Sequence, residues 1–256
     1  MPVTARSAID LTGQVAIVTG GTRGLGRQMA AVLAAAGARV TVCGRNAPES
    51  LPAGVSFRAA DVRDADQARE LVDAVVAEHG RIDILVNNAG GSPQAEAATA
   101  SPRFFDAIIR LNLHSAMFMS QAAFGPMRAA GSGSIINIAS VSGIRPSPLT
   151  AAYGAAKAGL LNLTQSLAQE WGPDGVRVNA IIVGLMQTED SAQTYGDSEA
   201  QAAVGRSLPL QRMGTGEDVA GAVLWLCSDL AGWVSGARIN VDGGGERPYF
   251  LDLVKG

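Results

Sequence analysis

The sequence predicts a doubly wound α/β fold, a sandwich in which helices cover both faces of a mostly parallel sheet of about seven strands. Short β-branched runs alternate with longer Ala- and Leu-rich amphipathic stretches along almost the whole chain. Strands and helices that alternate at this length are joined by right-handed crossovers, which makes the sheet parallel and covers both its faces. A glycine-rich turn stands directly after the first β-branched run, where such sheets bind ligands. No Ser/Gly/Pro-rich linker or block of like charge divides the 256 residues. They read as one domain, 1–256, with a tail at 1–10 and an extension at 245–256.

The elements follow in order. Residues 14–19 form the first strand-like run, and 25–36 repeat apolar side chains at helical spacing until Gly37 stops them. The second strand is expected at 39–43 and the third at 55–60. Asp64 followed by Gln67 reads as a capping box opening a helix over 65–79, which Gly80 closes. His79, in its last turn, complements the helix C-terminus. A fourth strand at 82–87 precedes a helical stretch at about 104–130, with Ser101 as cap and Pro102 in the first turn; His114 within it reads as structural. A fifth strand at 134–139, a helix through Tyr153 and Lys157 to Trp171, a sixth strand at 176–183, a helix at 217–229 and a last strand at 238–241 complete the pattern. Residues 185–213 break it. Rich in Gln, Thr, Ser, Asp and Gly, with weak periodicity, they read as a substrate lid, the alternative being a disordered excursion.

With 47% hydrophobic and 17% charged residues the chain can bury a large core, while its apolar runs stay short of the ~20 residues that span a bilayer. The opening residues lack the apolar stretch of a secretory signal, which points to the cytoplasm. Cys43 and Cys227 stand at no metal-binding or disulfide spacing and read as buried thiols in a reducing compartment. A net charge of −3 and a pI of about 5.4 leave no footprint for nucleic acid or a membrane. With that charge, any anion the protein binds must be held locally, and no metal site is visible.

The turn at 19–26 places Gly20, Gly24 and Gly26 around Thr22, Arg23 and Leu25. Its glycines let the backbone turn sharply and approach a pyrophosphate, while the following helix offers free N–H groups and its positive dipole end. The spacing is Gly-x-x-x-Gly-x-Gly, without the Gly-Lys-Ser/Thr ending of a nucleoside triphosphate loop. An acidic residue at the end of the second strand would accept hydrogen bonds from a ribose 2′-hydroxyl and repel a 2′-phosphate. Here Gly44 is followed by Arg45, with Arg23 available from the first loop. Two guanidiniums converging on one phosphate favour NADP(H) over NAD(H); the alternative is two solvated surface arginines.

Two lysines occur against eighteen arginines, and one of them, Lys157, stands four residues after Tyr153. At helical spacing the two share a face, so the ammonium can stand beside the phenol. Ser140 ends the fifth strand thirteen residues before Tyr153, and both can face the crevice of a doubly wound sheet. A tyrosine ionises near pH 10, too high for efficient proton transfer at neutrality. An adjacent ammonium and a positive nicotinamide ring in the crevice would favour the phenolate, which makes Tyr153 the candidate acid/base.

Together with Asn112 and the run from Asn87 to Gly90, these residues closely resemble the short-chain dehydrogenase/reductase family, in its single-domain, Tyr-dependent branch similar to 3-oxoacyl reductases. The resemblance runs from about residue 11 to residue 244, and its five motifs come in the family's order and spacing. It implies a Rossmann-type oxidoreductase that moves a hydride between NADP(H), or alternatively NAD(H), and the carbonyl or secondary alcohol of a small molecule. By resemblance, Tyr153 protonates the carbonyl oxygen or deprotonates the alcohol, and Ser140 holds and polarises that oxygen. Lys157 binds the nicotinamide ribose and lowers the Tyr153 pKa, and Asn112 anchors a water that relays protons. Gly20, Thr22, Arg23, Gly24, Leu25 and Gly26 form the phosphate loop, and Arg45 stands where NADP-preferring members carry a basic residue. Asp61 and Val62 match adenine contacts, Asn88, Ala89 and Gly90 ribose contacts, and Gly184 and Thr188 the carboxamide contact. A homotetramer, or failing that a dimer, is implied, with Ala155, Ala156, Ala158 and Gly159 allowing close helix contact.

The chain departs from the family at Val183, which replaces a proline in the run from Asn179 to Gly184. A proline's fixed φ contributes about 1 kcal/mol of loop order, too little for its loss to abolish catalysis. Beyond Gly244 an extension remains, whose Tyr249, Phe250 and Leu251 are expected to pack on a neighbouring subunit or close a pocket. The basic pair with which 3-oxoacyl reductases grip an acidic carrier aligns with Gly131 and Asp174. That favours a free sugar, steroid or other secondary alcohol over a 3-oxoacyl thioester of a carrier protein or CoA. A sensor that binds NADP(H) without turnover is the reading from another class, and the set Asn112, Ser140, Tyr153 and Lys157 weighs against it.

Overall fold

The computed structural model describes residues 9–248 and Val254. Seven strands, β1 (Val15–Thr19), β2 (Arg39–Gly44), β3 (Val55–Ala59), β4 (Ile84–Asn87), β5 (Gly133–Ser140), β6 (Val176–Val183) and β7 (Arg238–Val241), form one sheet in the order β3-β2-β1-β4-β5-β6-β7. Every pairing is parallel, as the alternation of runs predicts. The inner strands β1 and β4 are buried at every residue, because helices cover both faces there. The edge strands β3 and β7 have no fully buried residue.

Successive side chains of one strand enter opposite layers. Ala16 and Val18 of β1 join Met29 and Leu33 of α1 (Gly24–Ala35) and Val219, Val223 and Leu226 of α8 (Gly216–Cys227). Val15 and Ile17 join Leu71, Val72 and Val75 of α2 (Ala65–His79), Met119 and Met127 of α4 (Ser115–Ala130), and Leu167 of α5 (Ala151–Trp171). Cys43 and Cys227 are buried free thiols, and burial pushes each up to about 12.

Three local details differ from expectation. Asp64 accepts the N–H groups of Asp66 and Gln67 at 2.9 and 3.2 Å, but the Gln67 side chain takes the Asp61 N–H instead of returning to Asp64. It is an N-cap rather than a capping box; a complete box stands at Thr215 and Asp218, opening α8. The stretch expected at about 104–130 is α3 (Pro102–Ile109) and α4 joined by a π-helical turn, Arg110–His114, which gives Asn112 a wider turn than an α-helix offers. Residues 185–213 are not a bare loop: α6 (Ser191–Tyr195) and α7 (Ser198–Ser207) lie within them, the second capped by Asp197. Only Gly205 of α7 is fully buried, so no apolar stripe marks that helix in the sequence. Residues 1–8 and the extension's Tyr249, Phe250 and Leu251 lie outside the described residues. Among the described residues no helix is long and apolar enough to cross a membrane.

Candidate active site

The chain winds outward from β1 to β3, then returns to β4 on the other side of β1. The reversal leaves a crevice at the carboxyl ends of β1 and β4, the place where open α/β sheets bind ligands. A cleft of about 620 Å³ opens there. Gly20, Thr22, Arg23, Gly24, Leu25, Gly26, Arg45, Asp61, Val62, Asn88, Ala89, Gly90, Ser140, Tyr153, Lys157, Gly184 and Thr188 all line it. Seven separate segments of the sequence thus meet at one surface.

The phosphate loop is braced by β4. Thr19 Oγ1 accepts the N–H groups of Asn88 and Ala89, each at 3.0 Å, and Asn88 Nδ2 donates to the carbonyls of Thr19 and Gly20 at 2.9 and 3.1 Å. Gly26 passes so close that a Cβ there would overlap Asn88 Nδ2 and the Gly20 carbonyl. At the start of α1 the Gly24 N–H donates to Glu189 Oε1 at 2.7 Å, and Arg23 pairs with Asp190. Both acids belong to the segment 185–213. The Glu189 carboxyl is held below the usual range by its own N–H and then by that of Gly24. As folded, the loop therefore already holds an anion at a helix N-terminus, and its donors fit a dinucleotide's phosphates.

Beyond the loop, Asp61 is bound by Arg63, whose Nε donates to Oδ1 at 2.8 Å, and this pair holds its carboxyl below the ordinary range. Arg45 adds a weaker Coulombic pull on the same group. Arg63 lines the cleft and escaped sequence reading, as did Arg145 and Tyr195, because no motif marks them.

At the other end, Ser140 closes β5 and Tyr153 comes from the first turn of α5. Ser140 hydrogen-bonds the Tyr153 oxygen, and Lys157 Nζ lies 5.5 Å from the centre of the Tyr153 ring. The ammonium donates to the Ile138 carbonyl at 2.7 Å and is 3% exposed. Burial pushes it down to about 8. In the chain by itself Tyr153 is raised above its ordinary pKa, because burial outweighs the Ser140 hydrogen bond, while Lys157 faces a carbonyl and is itself desolvated.

Asn112 stands behind the cleft wall. Its Oδ1 accepts the Gly91 N–H and its Nδ2 donates to the carbonyls of Gly91 and Ile108, all at 2.9 Å. A Cβ on Gly90 would lie 2.7 Å from Asn112 Oδ1 and 3.3 Å from Lys157 Nζ, so only glycine lets these two groups flank the turn. Val183, where the family has proline, is in register with Ser140 on one side and Val241 on the other. Sheet pairing holds it where a proline would rely on its fixed φ, and Gly184 N–H continues the contact to Val241 O at 3.0 Å. Thr188 N–H donates to Ser191 Oγ at 2.6 Å, near the start of the segment 185–213.

A parallel sheet with a braced phosphate loop at its switch point defines the Rossmann-type α/β class. Residues 20–246 match the family model described as enoyl-(acyl carrier protein) reductase. The chain is 39% identical to 2-dehydro-3-deoxy-D-gluconate 5-dehydrogenase of Escherichia coli, over 93% of this chain and 97% of that one. It is 36% identical to a 3-oxoacyl-[acyl-carrier-protein] reductase of Chlamydia trachomatis, over 91% and 98%. A crystal structure assigned as a short-chain alcohol dehydrogenase from Sinorhizobium meliloti superposes with a TM-score of 0.85 at 36% identity, covering 92% of this chain and 97% of that one. The protein belongs to the short-chain dehydrogenase/reductase family, whose members bind NAD(P)(H) and act as oxidoreductases on alcohols and carbonyls.

Proposed function

We propose that this protein moves a hydride between NADP(H) and the carbonyl or secondary alcohol of a free small molecule, with Tyr153 as general acid/base. The observation that carries this reading is the meeting of Ser140, Tyr153 and Lys157 at one end of the cleft that begins at the phosphate loop. The bound nicotinamide supplies or accepts the hydride. Ser140 positions the substrate oxygen through the hydroxyl that already bonds Tyr153. Tyr153 gives or takes the proton at that oxygen, and the buried Lys157 ammonium stabilises the phenolate form in the loaded site, where a cationic ring adds to its field. Asn112 keeps the Gly90–Gly91 turn open beside Lys157. Arg23 and Arg45 take the 2′-phosphate, Asp61 and Val62 the adenine, and Gly184 and Thr188 the carboxamide.

On this reading the chain is one catalytic domain, cytoplasmic, assembled as a homotetramer, with residues 185–213 as its substrate lid. A free substrate is favoured over a carrier-bound thioester because Asp174, at one of the positions of the carrier-gripping basic pair, ion-pairs with Arg128 at 3.1 Å, and the other position is Gly131. The test is a panel of carbonyls and alcohols, free and carrier-bound, followed by nicotinamide absorbance with each cofactor. Turnover of the carrier-bound thioester alone would reverse the substrate assignment. No turnover of any compound, with cofactor binding intact, would favour the sensor.

A further inference from the structure

One cation at the Ser140–Tyr153 end of the cleft is used by neither the catalytic set nor the phosphate loop. Arg145 lies in the connection between β5 and α5 and lines the cleft beside Ser142, Tyr153 and Tyr195. Its N–H donates to the Val141 carbonyl at 3.1 Å. The hydroxyls of Ser142, Ser147 and Thr150, linked at 3.0 and 2.6 Å, tie the same connection to the start of α5. The loop that carries the guanidinium is thus anchored to both catalytic elements. Arg145 Nη1 donates to the Pro146 carbonyl at 3.0 Å, and Nε faces the carboxylate of Glu246, which arrives from the segment after β7. Tyr195, from the lid, lies within electrostatic reach of Arg145, Glu246 and Tyr153 alike. The other cleft cations are engaged or placed elsewhere: Arg23 with Asp190, Arg63 with Asp61, Lys157 on the Ile138 carbonyl, and Arg45 just past β2.

We propose that Arg145 is the specificity-determining residue of this cleft and binds a carboxylate of the substrate, with Glu246 holding that place until an anionic substrate takes it. The inference rests on the oxidoreductase reading above and narrows its substrate to oxo acids and hydroxy acids. A guanidinium offers a planar fork of donors that matches a carboxylate, and Glu246 is a carboxylate already seated on it. The side chains of the pair are 36% and 39% exposed, so water screens it, while the Nε that faces Glu246 is itself shielded and makes no hydrogen bond, which leaves a donor for another carboxylate. One carboxylate therefore exchanges for another at small cost.

The experiment uses 3-oxobutanoate, 4-oxopentanoate and 5-oxohexanoate, each beside its methyl ester, with NADPH and the full chain. At least one acid is expected to exceed its ester roughly tenfold or more in kcat/KM. Arg145→Met removes that preference through KM while leaving ester turnover in place, Arg145→Lys restores part of it, and Glu246→Gln lowers the KM of the acid. Equal handling of acid and ester, or an Arg145→Met loss as large for the ester as for the acid, overturns the proposal and leaves the Tyr153 chemistry standing. Calorimetric binding of the same pairs to protein saturated with NADP⁺ reads the proposal without turnover. Tighter binding of an acid that disappears in Arg145→Met supports it, and equal affinities overturn it. An acid preference in binding without turnover of any carbonyl would instead sink the oxidoreductase reading.

Discussion

Glu189 of the segment 185–213 and Gly24 of the glycine-rich turn share a hydrogen bond, the Gly24 N–H donating to Oε1 at 2.7 Å. With Asp190 on Arg23, that segment places two carboxylates where the proposed cofactor's phosphates would bind. Cofactor entry must displace them. Glu189→Gln is expected to tighten NADP(H) binding by about threefold to tenfold, the range for losing one modest charged competitor. The folded Glu189 pKa is lowered, so the docked contact persists at neutral pH and is lost only as pH falls through that depressed value. Fluorescence titration across pH checks both points, and an unchanged Kd in the variant would rule out the competition.

Tyr153→Phe removes the hydroxyl that Ser140 bonds and keeps the ring beside Lys157. Turnover should fall by roughly a hundredfold to ten-thousandfold while cofactor affinity stays put. Unaltered rates would show that the proton moves elsewhere.

Lys157 is buried and titrates at about 8, against an ordinary 10.5. Below about 8 the ammonium is charged in both folded and unfolded chains, and the burial penalty is present in full. Between about 8 and 10.5 the unfolded chain holds the proton that the folded chain has released, so this residue makes stability rise with pH across that window. Thermal melts should show this rise in the wild type relative to Lys157→Met, which is expected to melt no lower at neutral pH yet lose turnover about a hundredfold or more. Parallel melting curves for the two proteins across that window would mean the ammonium is better solvated than its burial implies.

Arg45→Asp places a negative charge at the end of β2, where Arg45 now pulls on Asp61. Loss of a bidentate phosphate contact costs about 2 to 3 kcal/mol, so NADP(H) affinity should drop roughly thirtyfold to a hundredfold and preference should move toward NAD(H). Parallel Kd measurements for the two cofactors decide it; equal NADP(H) affinity in the variant would place the 2′-phosphate elsewhere.

Local pattern carried much of this protein. The apolar runs at β1 and β4 are legible because both faces of an inner parallel strand are buried, so the run has no polar alternation to confuse it. The helices α6 and α7 were hidden because they have few buried residues, and periodicity appears only where a helix has a face to bury. The capping box at Thr215 and Asp218 was equally readable from its spacing, yet it opens a helix whose apolar run masks its start.

By itself the sequence determined the doubly wound architecture and pointed to many of the cleft residues between Gly20 and Lys157, though not Arg63 or Arg145, since strand periodicity, turn chemistry and motif spacing are all local properties. Tertiary structure alone decided what each charge meets. Burial raises the Tyr153 pKa in the chain by itself; Asn112 clamps a turn behind the cleft; and Glu189, Asp190 and Glu246 reach loops 165, 167 and 101 residues away in sequence. Electrostatic interactions depend on distance and desolvation in three dimensions, and neither is encoded in the spacing of residues along a chain.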